Sequence, residues 1–137
     1  MVKYGKTAQH AISIVSYLVE KQSDGELVGS REISEVRHLP KPVVAKLLTI
    51  LSQSGFLTGF PGPNGGYRLA KPADSIFLLD IVNVFEQTDS KLQCPFGPHW
   101  CGNGDPCPMH DELEAFSNRL FSFLKNTSVA IFSKKQS

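Results

Sequence analysis

Long hydrophobic runs are missing from this chain of 137 residues. Its apolar stretches fall far short of the roughly 20 residues a helix needs to cross a bilayer. That argues against a membrane span. The opening MVKYGKTAQH also lacks the continuous apolar region of a signal peptide, so the expected compartment is the cytoplasm. Cysteine is scarce, at three residues. An odd, clustered set in a reducing compartment argues against a disulfide framework and for metal or redox chemistry. A strong charge of either sign is absent as well, the formal net charge being +1. What remains is ordinary: 41% hydrophobic and 20% charged residues describe a globular domain, or one small domain with an appendage, long enough to bury a core. The small net charge conceals an asymmetry. Residues 1–75 carry nine Lys or Arg against six Asp or Glu, while residues 76–137 carry five against seven. A mildly basic first half suits contact with a polyanion.

All three thiols, Cys94, Cys101 and Cys107, lie with His110 in one stretch, QCPFGPHWCGNGDPCPMH. Gly and Pro are so frequent there that no regular helix or strand can occupy most of it. The segment also has little apolar material on which to fold itself. From Gln93 to Asp111 it contains no Lys or Arg, so thiolates ionising together have no protein cation beside them in sequence. A metal centre supplies that charge. Thiolates are soft ligands, suited to zinc or to iron-sulfur clusters. Structural zinc usually draws on Cys pairs about two to four residues apart, and none occurs here. A thiol enzyme needs a low-pKa thiolate beside a cation, for which the segment offers only His99 or His110.

Taken in order, the apolar residues Ala8, Ala11, Ile12, Val15, Leu18 and Val19 predict a helix over 7–21. Ser30 is the expected N-cap of a short helix over 31–37, anchored by Ile33 and Val36. A third helix begins near Pro42, buries Val43, Val44, Leu47, Leu48 and Leu51, and leaves Lys41, Ala45, Lys46 and Thr49 on its other side. Gly55 is expected to close it in the left-handed conformation. Short apolar runs over 56–60 and 67–70, on either side of PGPNGG, predict a hairpin with an extended tip. A further helix is predicted over 76–86, with Ile81, Val82 and Phe85 inward. After the cysteine segment, residues 108–132 read as one long helix with a stripe of Leu113, Phe116, Leu120, Phe123, Leu124 and Ile131. So broad an apolar surface needs more partner than a small domain offers, and a second copy of the chain would provide it.

Helix, short helix, helix and hairpin is the order of a winged helix-turn-helix domain. The residues carry the likeness further. LPKPVVAKLLTILSQSGFLTGFPGPNGGYRLAKP, then SIFLLDIV and the three-cysteine segment, closely resemble the Rrf-type family of bacterial winged-helix transcription regulators, and within it the iron-sulfur regulators. The resemblance covers nearly the whole chain. Its most specific parts are the wing Gly62-Pro63-Asn64-Gly65-Gly66-Tyr67 and the cysteines. It implies a mainly α (α+β) protein in three parts: a DNA-binding domain over 1–88, a cluster-binding segment over 89–107 and a dimerisation helix over 108–137. It further implies a homodimer that binds double-stranded operator DNA, with no membrane partner, no small-molecule substrate and no enzymatic activity. In cluster-binding members the three cysteines are ligands, and in one type a His three residues beyond the last Cys completes the set. His110 holds that position. Residues i and i+3 at a helix start project from one face, so Cys107 and His110 are suitably spaced. The implied cofactor is a 2Fe-2S cluster, with 4Fe-4S as the alternative. The DNA-contacting set is Lys41, Lys46 and Thr49 on the third helix with Asn64, Gly65 and Arg68 on the wing.

The chain departs from the family pattern at several points. Pro61 stands where a basic residue often precedes the wing's Gly-Pro, which leaves Arg68, or no residue at all, for the minor-groove role. Ala45 matches a Glu of the recognition helix in some members, removing an acceptor for cytosine N4. Where other members take a fourth ligand from the partner's first helix, this chain has Gln9 with His10 beside it. The alternative to a cluster regulator is a zinc-stabilised winged-helix interaction module.

Overall fold

The computed structural model describes residues 5–22, 25–86 and 110–133. Helix α1, Lys6–Gln22, is the hub. Ala8, Ala11, Ile12, Val15, Leu18 and Val19 are all buried, as is Ile14 on a neighbouring face. A helix buried this widely has neighbours on several sides: α1 touches the next three helices, the second strand of the hairpin and the C-terminal turn.

Helix α2, Ser30–Arg37, starts one residue before its predicted first residue. Gly29 is the N-cap, no side chain caps the helix, and Ser30 is already helical. Ile33 is fully buried, but Val36 is 43% exposed and is not an anchor. The second-turn contact with α1 belongs to Arg37, which leaves Val36 outside. Its Nε donates to the Ser13 carbonyl at 3.2 Å, and its Nη2 donates to Ser16 Oγ at 3.0 Å and pairs with Glu20 at 2.7 Å. His38 takes a left-handed conformation, φ 56, and turns the chain towards helix α3, Lys41–Gln53, with Pro42 in its first turn. Val44, Leu47, Leu48 and Leu51 are buried. Gly55, at φ 90, ends the helix, and the Phe56 N–H closes on the Leu51 carbonyl at 3.0 Å.

Strands β1, Leu57–Phe60, and β2, Gly66–Leu69, pair antiparallel with Leu57 opposite Leu69 and Phe60 opposite Gly66. The other edge of β2 is also paired. Val28 and Tyr67 exchange two backbone hydrogen bonds, of 3.0 and 2.8 Å, so the hairpin is stitched to the segment before α2. After a 3₁₀ turn, Ala73–Ser75, helix α4 runs Leu78–Phe85. The Asp80 carboxylate accepts the Phe77 N–H at 3.0 Å and caps its start. Ile81 and Val82 are fully buried and Phe85 is half-buried.

Helix α5, His110–Asn126, is the long C-terminal helix, and it stops six residues short of Phe132. The expectation of an unbroken helix to Phe132 is corrected. Leu78 donates its N–H to the Thr127 carbonyl at 2.9 Å, Val129 donates to the Ile76 carbonyl at 2.8 Å, and Ser128 pairs antiparallel with Phe77. Thr127, Ser128 and Val129 are poor helix formers, and here the extended pairing satisfies their backbone. A 3₁₀ turn, Val129–Phe132, follows, with Val129 fully buried.

Candidate nucleic-acid interface

The side of α3 that faces away from α1 carries Lys41, Ala45, Lys46 and Thr49, all exposed. Nothing apolar covers this face because the buried residues repeat three and four apart on the opposite side. Thr49 Oγ1 donates to the Ala45 carbonyl at 3.0 Å, a bond that water or a base edge can replace. The hairpin stands beside the C-terminal half of α3, and between them lies an open cleft of about 600 Å³. Thr49, Ser52 and Gln53 form one wall, Gly59 to Gly62 with Gly65 and Gly66 form the other, and Gly29 and Ser30 at the start of α2 lie at its end. Thr49 and Gly65 therefore share the cleft. Asn64 is exposed at the wing tip, where Gly65 donates its N–H to the Gly62 carbonyl at 3.0 Å. Arg68, on β2, is exposed and holds its guanidinium 4.9 Å from the centre of the Phe60 ring.

Sequence reasoning did not single out Ser52, Gln53 or Phe60 as parts of this surface. Phe60 was legible: with Leu57 buried, strand alternation turns Thr58 and Phe60 outward. Ser52 carried no such signal. Its Oγ is buried and has no hydrogen-bond partner among the described residues.

Behind the surface, α1 and α2 are locked by a polar cluster. The buried Tyr17 hydroxyl donates to the Glu32 carboxylate, and the Arg37 guanidinium lies 5.1 Å from the Tyr17 ring. Burial, with the Glu32 hydrogen bond and charge added, pushes the Tyr17 phenol up to about 12. These contacts fix how α2 and the turn after it present α3.

Of the expected metal ligands, Cys94, Cys101 and Cys107 lie outside the described residues, as do His99 and Trp100. His110 is the first residue of α5. On α1, Gln9 is exposed and His10 half-buried. Among the described residues no group of three His, Cys, Asp or Glu comes together to hold a metal. None of the described helices is long and apolar enough to cross a membrane.

Residues 4–135 match the Rrf2 family, described as an iron-dependent transcriptional regulator. The chain belongs to the Rrf2 family. It is a DNA-binding transcriptional regulator and not an enzyme. Its relatives include a putative HTH-type transcriptional regulator of Aquifex aeolicus, 30% identical over 92% of this chain and 88% of that protein. Another is the HTH-type transcriptional regulator IscR of Cereibacter sphaeroides, 27% identical over 82% of this chain and 69% of that one. Among solved structures, the global cysteine regulator CymR of B. subtilis superposes with a TM-score of 0.78 at 19% identity, covering 98% of this chain and all of that one. T. potens IscR does so at 0.70 and 20% identity, over 93% of this chain and 83% of that one. At such identity these structures establish the winged-helix fold.

Proposed function

We propose that this Rrf2-family chain acts in the cytoplasm as a homodimer whose operator affinity is switched by an iron-sulfur cluster, 2Fe-2S rather than 4Fe-4S, held by Cys94, Cys101, Cys107 and His110. The supporting observation is that His110 opens a helix whose far end is built into the DNA reader. Ser117 and Leu124 of α5 are buried, and the residues just beyond it pair with the strand-like start of α4. A change at the start of α5 would therefore act on a lever fixed to the unit that carries α3 and the wing. The donor set suits such a cluster in its chemistry: three soft thiolates and one imidazole, the imidazole belonging to the first residue of a 17-residue helix. When bound, the cluster supplies a redox-sensitive cross-link, and an imidazole ligand is one that protonation releases.

In this reading α3 enters the major groove, where Lys41 and Lys46 meet phosphates and Thr49 reaches base edges. Asn64, Gly65 and Arg68 follow the neighbouring backbone and minor groove. The second copy covers α5. On α5, Phe116 and Phe123, one heptad apart, are 60% and 52% exposed. A row of that kind suits a two-fold helix pair. The names of the IscR relatives agree with the cluster reading, and the Rrf2 description as iron-dependent agrees with it too.

The deciding experiment is anaerobic purification followed by visible spectroscopy and a gel shift on DNA from upstream of the chain's own gene. A brown protein that loses its colour in Cys94→Ala and changes its DNA affinity on cluster loss is the expected result. A colourless protein holding only stoichiometric zinc would leave the zinc-stabilised module as the better account.

A further inference from the structure

The wing presents an unusual distribution of charge. From Leu57 to Ala70 it contains one cation, Arg68, and its tip, Pro61 to Gly66, contains none. Any cationic contact the wing makes with a nucleic acid must therefore come from the strand and not from the tip. Arg68 stands opposite Thr58 in the ladder, so Thr58, Phe60 and Arg68 share the outer face of the hairpin. There the guanidinium lies 4.9 Å from the centre of the Phe60 ring. Phe60 itself lines the cleft beside α3, although it is a large apolar side chain left 38% exposed. Among the described residues no carboxylate pairs with Arg68, whereas Arg31 and Arg37 both have acidic partners. Among the described residues the Arg68 charge thus has no carboxylate partner, and it is stacked on an aromatic platform that itself lines the cleft.

Building on the DNA-facing role of the wing argued above, we propose that Phe60 is a positioning residue that aims Arg68 into the minor groove and so gives this wing a preference for A·T-rich flanks. A free arginine side chain samples many rotamers, and stacking on a phenyl face restricts it before DNA arrives. A guanidinium is weakly hydrated and favours the narrow, strongly negative minor groove of A·T tracts. The rigid Gly-Pro tip lets the duplex approach β2 closely, because no side chain longer than Asn64 projects between.

The test measures binding of the full chain to two fluorescent duplexes of equal length, one with A·T flanks and one with G·C flanks around the same centre. Wild type should bind the A·T duplex more tightly. Phe60→Leu, which keeps an apolar side chain and the charge on Arg68, should lose about 2- to 5-fold on the A·T duplex and little on the G·C duplex. Arg68→Gln should erase the preference, and Phe60→Trp should keep it. Equal melting temperatures across the set would show that the wing's packing is intact. An unchanged A·T preference in Phe60→Leu, or in Arg68→Gln, would overturn the inference while leaving the DNA-binding role of α3 standing. A wild-type protein that binds both duplexes equally would also overturn it, and one that binds neither would remove the interface on which it rests.

Discussion

Leu78 and Thr127 are joined by a hydrogen bond of 2.9 Å from the Leu78 N–H to the Thr127 carbonyl, which ties the end of the long helix to the beginning of α4. This bond makes α5 part of the reader domain, although the helix also presents an uncovered apolar row. Its two faces are separable. Leu124 is 2% exposed, and Phe123 next to it is 52% exposed. Leu124→Ala should destabilise the chain by about 2–5 kcal/mol, because it opens a cavity between α5 and the core. Phe123→Ala should change the folding free energy far less. Urea titrations of the two variants at one protein concentration distinguish the faces.

If the outer row is covered by a second copy, charge placed in it should separate the copies without unfolding them. Phe116 and Phe123 are the residues to change, since both are exposed on α5 and neither belongs to the core. Phe116→Glu with Phe123→Glu is expected to convert a dimer to a monomer in sedimentation while leaving the helical circular-dichroism signal intact. Operator binding should weaken sharply, because one recognition helix would be left to engage half a site.

Tyr17 gives the fold an alkaline limit. Burial first, and then the bond to Glu32, raise its phenol from 10.0 to about 12. The native state keeps a proton that the unfolded chain releases earlier. That contribution to stability is therefore complete below pH 10 and is lost as pH rises towards 12. The urea midpoint of wild type should fall across this window. Tyr17→Phe should start lower, for want of the Glu32 bond, and should lack this component of the decline. Every other group is common to both proteins, so the difference between the two curves carries the test.

Most of this architecture could be read from the chain. The apolar spacing of α1 and α3 defined their buried faces, and the same spacing left Lys41, Lys46 and Thr49 outside, where they are found. What escaped depends on partners remote in sequence. The pairing of Val28 with Tyr67 involves a single residue on one side, too short for any alternation to reveal. The end of α5 at Asn126 follows from the backbone of 76–78 competing for Thr127 and Val129, whereas the apolar residues Ile131 and Phe132 continued the helical pattern. Arg37 displaced Val36 from the inner face of α2 because three acceptors on α1 await its guanidinium. The cysteine segment was the reverse case. Residue types alone point there to soft-metal ligation, by a cluster or by zinc, and its three thiols lie outside the described residues.

Lys46 lies exposed in the middle of α3, so its contact with DNA should be one of charge. Lys46→Gln should weaken binding about equally for all sequences and reduce the slope of log affinity against log salt by about 1. Anisotropy titrations at several salt concentrations give both quantities. A loss confined to one sequence would instead mean that Lys46 touches a base.

Gly65 separates local strain in the wing from global stability. A Cβ there would lie 1.9 Å from the Phe60 carbonyl oxygen and 2.8 Å from that of Pro61, and neither backbone atom can move while the tip keeps its turn. Gly65→Ala should therefore open the tip, breaking the 3.0 Å bond from the Gly65 N–H to the Gly62 carbonyl and loosening the Phe60 pairing with Gly66. The damage should stop there. At the other end of the hairpin Leu57 is buried, and Val28 holds Tyr67 from the far edge. Neither of those attachments needs the tip. The expected outcome is a melting temperature within a few degrees of wild type together with a loss of DNA affinity of about tenfold, equivalent to ~1.4 kcal/mol. A large fall in melting temperature would mean that the wing supports the core, and unchanged affinity would mean that the tip does not reach DNA.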